Sequence, residues 1–389
     1  MRVPGKTELS RRFWFALILA GAIARMALWW ISIGSNDVTS WRQFGKSIAA
    51  DGLAATYRNI QLYNHPPLMG LYAMQAWRLS GGDLWTFAHL LKLPGLAGEA
   101  LILWALWRFA SPQASAAYAW LPAAILVSAF HGNTDCLYTA LVLVAVIAFD
   151  RQLYFLAGLL LAAALNVKLI PLVLLPLVFI GSPNRRALLR LTTGLALGAA
   201  PFVIPALAAG HAMYRNMVVY NSFADNWGLL VILRAGVHIP LLGKFVAILK
   251  DAYLPAGRYF VLAAITLVAL LSKFRGSRLM AEQAALGAAL FLLLTPGFGV
   301  QYVIFVAPLL CLVNVPAALR WGWVSGLFIG LAYWSFRIPG THFASLHSTH
   351  LPVQAWVIGV AAWAILLQFV WRNLFVRRSC AVLSSAVMF

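Results

Sequence analysis

Residues 114–149 read ASAAYAWLPAAILVSAFHGNTDCLYTALVLVAVIAF. Two apolar runs, 114–130 and 136–149, flank a five-residue polar island, HGNTD, and neither run holds a charged residue. In hydrocarbon a single segment satisfies its backbone only as a helix, so each run predicts a membrane helix. The island is too short to reach far from the bilayer and must lie at its boundary. Two roles fit it. His131 and Asp135 order a site or contact a polar headgroup, or the segment is a tight turn with Asp135 capping the next helix.

The rest of the chain has the same character. Of 389 residues 62% are apolar and 10% charged, with mean hydropathy +0.84. A soluble domain carries about 25% charged residues, so this composition excludes a cytosolic enzyme, a disordered chain and a DNA-binding domain. The expected fold is all-α: a polytopic transmembrane helical bundle forming one integral-membrane domain over 1–389. The 29 Lys and Arg against 10 Asp and Glu lie mostly in short breaks between apolar runs. There they set topology and touch lipid headgroups, so the partners of this charge are membrane lipids, not nucleic acid. Cys136, Cys311 and Cys380 are far apart and odd in number, which gives no disulfide framework or zinc site.

About 12 spans are expected: 13–33, 85–107, 114–130, 136–149, 153–167, 169–181, 187–207, 258–272, 280–295, 301–315, 321–336 and 353–371. The first is uncleaved, because it is longer than a signal-peptide core. Several are shorter than the roughly 20 residues of a full crossing, as broken helices are. With the N-terminus inside, sixteen Lys and Arg fall in 61 cytoplasmic residues and eleven in about 129 outer ones, the asymmetry that fixes orientation. This parity holds only if 67–80 lies in the outer interface or is re-entrant; 229–250 is equally short of a clear assignment. Two long outer loops result, 34–84 and 208–257, and a shorter one at 337–352. No sequence repeat of fixed period is present.

The first outer loop is the richest in chemistry. Asp37 opens it, followed by Trp41, Phe44, Ile48 and Ala49 at helical spacing, with Arg42 and Lys46 on another face. This predicts a juxtamembrane amphipathic helix lying on the membrane. Asp37 either acts as a general base at the water–lipid boundary or caps that helix. Tyr57, Arg58, Tyr63, Asn64, His65, Pro66 and Pro67 follow. Lys168, between two apolar runs, either holds a phosphate as a point charge or snorkels to headgroups. Gln301-Tyr302, after Pro296-Gly297-Phe298-Gly299, offers an amide and a phenol to a ligand, or is an interfacial turn. Asp225-Asn226-Trp227 and His342, His347 and His350 are further outer polar groups; the histidines lack metalloprotease spacing. No P-loop, GxGxxG, GxSxG or DxD motif supports nucleotide chemistry.

Together these elements resemble the GT-C superfamily of integral-membrane glycosyltransferases. They are Asp37, Tyr63-Asn64-His65-Pro66-Pro67-Leu68, the Gly132-Asn133-x-Asp135 turn, Lys168 with Pro171, and Gln301-Tyr302. The pattern runs from 13 to about 310 and looks closest to bacterial polyprenyl-phosphate-mannose-dependent mannosyltransferases; a large soluble C-terminal domain like that of oligosaccharyltransferases is not expected. The resemblance implies transfer of mannose or another hexose from a polyprenyl-phosphate carrier to a hydroxyl of a lipid-linked glycan, glycolipid or protein. The site would face the periplasm or cell exterior of a bacterial inner membrane. It implies Asp37 as catalytic base, Lys168 with Arg58 or His65 for the donor phosphate, and substrate contacts from His131, Asn133, Asp135, Asn226, Gln301 and Tyr302. Many relatives carry a second acid near the prolines, where this chain has Asn64-His65. A metal-independent mechanism without a cofactor is therefore expected, with a divalent metal the alternative. The competing class is a transporter or flippase of a lipid-linked sugar or anion, using Lys168 and Arg25 as intramembrane cations. A polysaccharide polymerase or ligase is a third.

Overall fold

The computed structural model describes residues 6–220, 227–274, 279–335, 343–344 and 351–375. They form a helical bundle: α1 Lys6–Ile31, α2 Asn36–Asp51, α3 Leu53–Asn59, α4 Pro67–Leu79, α5 Leu84–Phe109, α6 Pro112–Ala119, α7 Pro122–Ile125, α8 Asp135–Asp150 and α9 Tyr154–Val167. There follow α10 Leu175–Ile180, α11 Arg185–Gly198, α12 Val203–Met213, α13 Gly228–Gly236, α14 Gly243–Phe274, α15 Met280–Leu294, α16 Ala307–Val313, α17 Val315–Ser335 and α18 Val353–Phe375. Two residues of extended chain, β1 Gly34–Ser35, pair in parallel with β2 Phe343–Ala344.

The protein is a polytopic integral membrane protein. Among the described residues six helices are long and apolar enough to cross a bilayer, and a seventh crossing arises if α6 and the following helix, bent by 60°, count as one. The bend falls at Leu121-Pro122, where proline removes a donor and cannot continue the preceding turn. Several expected spans differ from what forms. The run at 187–207 extends as a helical stretch to Val218, and 258–272 extends back to Gly243. Most of the expected outer loop 208–257 is thus helical within the described residues. The runs at 169–181 and 301–315 begin in 3₁₀ turns, Ile170–Leu174 and Val300–Ile304. The expected break at 316–320 is absent: α17 starts at Val315, and Asn314 Oδ1 accepts the Ala317 N–H at 3.0 Å. At about 1.5 Å per residue, the 15 residues of α15 fall short of a full crossing. It is buried along nearly its whole length, as an element walled by other helices should be.

In the segment expected as the first outer loop, α2 buries Val38, Trp41, Phe44, Gly45 and Ile48, the expected apolar face. That face packs on α4 instead of resting in headgroups. A Cβ on Gly45 would strike the Ala73 carbonyl oxygen, so the two helices meet backbone to backbone. The 13-residue α4 is too short to cross, consistent with an interfacial 67–80. Further along, Gly158 of α9 and Gly194 of α11 each face the other helix's backbone, which fixes the helix that ends at Lys168.

One buried ion pair ties α1, α5 and α6 together. Arg25 Nε donates to Glu99 Oε2 at 2.8 Å, Tyr118 Oη donates to Glu99 Oε1 at 2.6 Å, and Arg25 Nη1 and Nη2 reach the carbonyls of Gly21, Ala119 and Tyr118. Both charged residues are 2% exposed. Removing one partner strands the other charge in hydrocarbon. Glu99→Ala should therefore lower stability by about 3–5 kcal/mol, and the double variant Arg25→Met/Glu99→Leu should recover much of it. Thermal unfolding in nanodiscs measures both.

Candidate functional site

The polar island forms the floor of the site. The helix after Pro122 loosens into a π-helical turn, Leu126–His131, and stops at Gly132, whose φ of +79° only glycine adopts without strain. Freed carbonyls need partners at this depth, and Lys92 of α5 supplies them. Its Nζ donates to Ser32 O at 2.6 Å, Trp29 O at 3.2 Å, Ala129 O at 3.3 Å and Ser32 Oγ at 3.2 Å. One buried lysine thereby clamps the end of α1 to the turn.

This clamp sets the start of α2. Ser35, not Asp37, is the N-cap: its Oγ accepts the Asp37 N–H at 3.2 Å and donates to His131 O at 2.7 Å. The Asp37 carboxylate is thus released from capping. It accepts a hydrogen bond from Asn133 Nδ2. His131 Nε2 lies 3.1 Å from its Oδ2, off the ideal N–H line. Asn133 is held in turn, its Oδ1 accepting the Thr134 N–H at 2.7 Å and Trp41 Nε1–H at 3.4 Å. Asp37 remains 26% exposed. Burial alone would raise its pKa, but His131, then Lys168 and His65, outweigh that and lower it to about 2.

Asp135 does not cap α8 through its side chain either. Thr134 is the N-cap, and the fully buried Asp135 carboxylate accepts both 3.0 and 2.9 Å hydrogen bonds from Lys168 Nζ. Lys168 is the C-cap of α9 and is 8% exposed. It turns inward, over the Tyr302 ring at 4.8 Å, and does not snorkel.

Asp37 and Lys168 line one open cleft of about 280 Å³, with Asn36, Trp41, Asn64, His65, Asn133, Tyr220, Gln301 and Tyr302. Of the residues expected from sequence, Asp37, His65, Asn133, Lys168, Gln301 and Tyr302 share this cavity. His131 and Asp135 stand behind it, one against Asp37 and one against Lys168. Arg58 lies outside, exposed, with Nη1 donating to Ala208 O at 3.0 Å. Asn226, Asp225, His342, His347 and His350 fall outside the described residues. His65 lies against Trp41, ring centroids 4.2 Å apart. Burial and then Lys168, against the opposing pull of Asp37, lower its pKa to about 3. At neutral pH it offers an uncharged imidazole where a cation was expected.

A second, apolar groove of about 290 Å³ adjoins the cleft, sharing Leu169, Ile170, Met217, Tyr220 and Tyr302 with it. Leu172, Val173, Val261, Leu262 and Phe291 line it, and Arg258 stands at its side, Nη1 donating to Val218 O at 2.9 Å. Sequence reasoning missed Lys92 and Arg258. Lys92 carried a usable signal, a lysine within a span; Arg258 carried none beyond its place at the start of one. Among the described residues no three His, Cys, Asp or Glu side chains converge to hold a metal ion. No family model matches the chain, and no curated protein matches it in sequence.

The two acids separate in a stability measurement. Asp135→Asn leaves Lys168 buried without its counter-ion and should cost about 3–5 kcal/mol. Asp37→Asn, at a partly open position where no buried cation loses its only counter-ion, should cost less. Melting curves of the two variants in nanodiscs give the comparison.

Proposed function

We propose that the protein is a GT-C-like glycosyltransferase that moves a sugar, mannose or another hexose, from a polyprenyl-phosphate carrier to an acceptor hydroxyl. One observation carries this reading: an ionised carboxylate and a buried lysine line a single cleft that opens into an apolar groove. The groove suits the first isoprene units of a lipid carrier and the cleft its sugar, with the phosphate at their junction near Lys168, Tyr302 and Arg258. Counting α8 and the short apolar helices as partial or full crossings brings the bundle to about 12. The Lys/Arg asymmetry supports a cleft on the outer face of a bacterial inner membrane. Lipid-linked glycan, glycolipid and protein remain the acceptor classes.

In this mechanism the acceptor oxygen attacks the anomeric carbon opposite the phosphate. The bond from that carbon to the phosphate oxygen breaks, and its electron pair leaves on the phosphate. The hydroxyl proton passes to Asp37. Lys168 stabilises the negative charge that grows on the leaving phosphate. Asp135 keeps Lys168 protonated and aimed, so the phosphate shares a cation that is already ordered. Asn64, Asn133 and Gln301 offer amide hydrogen bonds to sugar hydroxyls, and Tyr302 offers a ring face. Arg25, which the transporter reading would recruit as a second intramembrane cation, is engaged by Glu99 and three carbonyls. That weighs against transport.

Asp37→Asn keeps shape while removing basicity. It should bind donor normally and lose at least ~100-fold in transfer rate, the lower end of a positioned base's contribution. The assay is transfer of labelled sugar from a short-chain polyprenyl-phosphate donor, in nanodiscs, with and without a chelator. A fully active Asp37→Asn protein would sink the assignment, and loss of activity on chelation would bring a metal into the mechanism. Wild type that never transfers sugar yet moves the donor across liposomes would establish the transporter class.

Lys168→Ala should weaken donor binding more than Lys168→Arg, since a point charge matters here more than fork geometry. Equal donor affinity in wild type and Lys168→Ala would remove Lys168 from the phosphate site.

A further inference from the structure

We infer that His131 is a positioning residue that sets the basicity of Asp37, so that transfer requires His131 to be neutral. This rests on Asp37 being the base. The geometry is specific. His131 lies behind Asp37, 4% exposed and absent from the cleft lining, so it cannot touch an acceptor there itself. Its Nε2 is 3.1 Å from Asp37 Oδ2. Its ring stacks on Tyr333 of α17, centroids 5.4 Å apart and planes 15° apart, so it has little freedom to turn away. Neither ring nitrogen completes a well-aligned hydrogen bond, and with Nε2 the nitrogen nearest Asp37 the carboxylate favours the tautomer that carries its proton there.

The charge state of this ring decides what kind of base Asp37 is. A protonated His131 beside Asp37 stabilises the carboxylate and makes it a poor proton acceptor. With His131 counted among its partners, Asp37 is held at about 2, far below the range where a general base works well. A neutral imidazole keeps Asp37 aimed but lifts the strongest of the interactions that lower it. The sign follows. Once His131 takes up a proton in acid, Asp37 stays ionised but weakens as a base, and the rate drops. As pH rises the rate recovers.

Other charged and titratable groups surround the pair. Asp37 faces His131 from α2, Lys92 comes alongside Gly132 from α5, and Tyr333 covers the ring from α17. Asp135 and Cys136 stand at the start of α8, while Lys168 and His65 act on Asp37 from the cleft side. Lys168 is matched by Asp135 and His65 is neutral. His131 is thus the imidazole in direct contact with the Asp37 carboxylate.

The test is the pH profile of transfer in nanodiscs between about pH 5 and pH 9, for wild type, His131→Gln and His131→Asn. Donor binding is measured in parallel at each pH. Wild type should lose at least ~10-fold in rate toward the acid end, with binding nearly constant. The Gln and Asn variants keep a neutral polar side chain behind Asp37 but cannot titrate, so both should lose this acid limb whatever their absolute rate. A merely structural His131 would lower the rate at every pH and leave the limb in place. An acid limb in either folded variant that superposes on the wild type overturns the inference. A fully active Asp37→Asn protein would instead overturn the reading of Asp37 as base, which keeps the two failures apart.

Discussion

Inside a bilayer every backbone group must find a partner, and the interruption at residues 126–135 is where the helical ladder cannot provide one. The rest of the site follows from how that interruption is resolved. A π-helical turn loosens the ladder, Gly132 stops it, and Lys92 takes up the freed carbonyl of Ala129 together with the end of α1. The polar residues that emerge on the far side are then fixed in place by backbone necessity. His131 and Asn133 meet Asp37; two residues on, Asp135 meets Lys168. A feature that a bilayer makes costly is thus the one that builds a polar cleft at its edge.

The charges divide into three groups with different duties. Arg25 and Glu99 are buried, mutually satisfied and tie helices together. Lys168 and Asp135 are equally close, but the lysine borders a cavity and its acid does not. Asp37 is partly open and held by neutral or titratable neighbours. A catalytic reading needs this graded arrangement: one carboxylate kept rigid as a counter-ion, and another left able to exchange a proton. Had Asp135 and Asp37 been exchanged in environment, neither job could be done.

Much of this was legible in the sequence, because polar residues stand out against so apolar a background. Asp37, HGNTD, Lys168 and Gln301-Tyr302 are separated by long apolar runs, yet all sit where a helical run starts or breaks, and all converge. What the sequence could not supply was pairing. Arg25 to Glu99 and Lys168 to Asp135 depend on which helix faces which, and helix-facing is set by small residues such as Gly158 and Gly194 whose effect appears only on contact. The choice between capping and a functional role, open for both acids in the sequence, turned on a related point. Both Asp37 and Asp135 occupy first-turn positions that suit a cap, but an external partner captured each carboxylate and left capping to Ser35 or to no side chain. Arg58 lies outside the cleft because its side of α3 faces α12, while Leu62, Asn64 and His65 line the cleft. Broken helices were expected from the short runs, but not where each breaks, because a 3₁₀ turn beginning a span has the same apolar composition as the span.

The short parallel pairing of Gly34–Ser35 with Phe343–Ala344 has a bearing on biosynthesis. The strand that leads into Asp37 leaves the ribosome early, and its hydrogen-bonded neighbour emerges roughly three hundred residues later. Tyr333, which covers His131, is also a late arrival. Until α17 and the segment beyond it have been inserted, the carboxylate has no finished wall behind it. The nascent chain therefore passes through most of its membrane insertion with the cleft incomplete, and final closure waits on contacts between the two ends of the sequence.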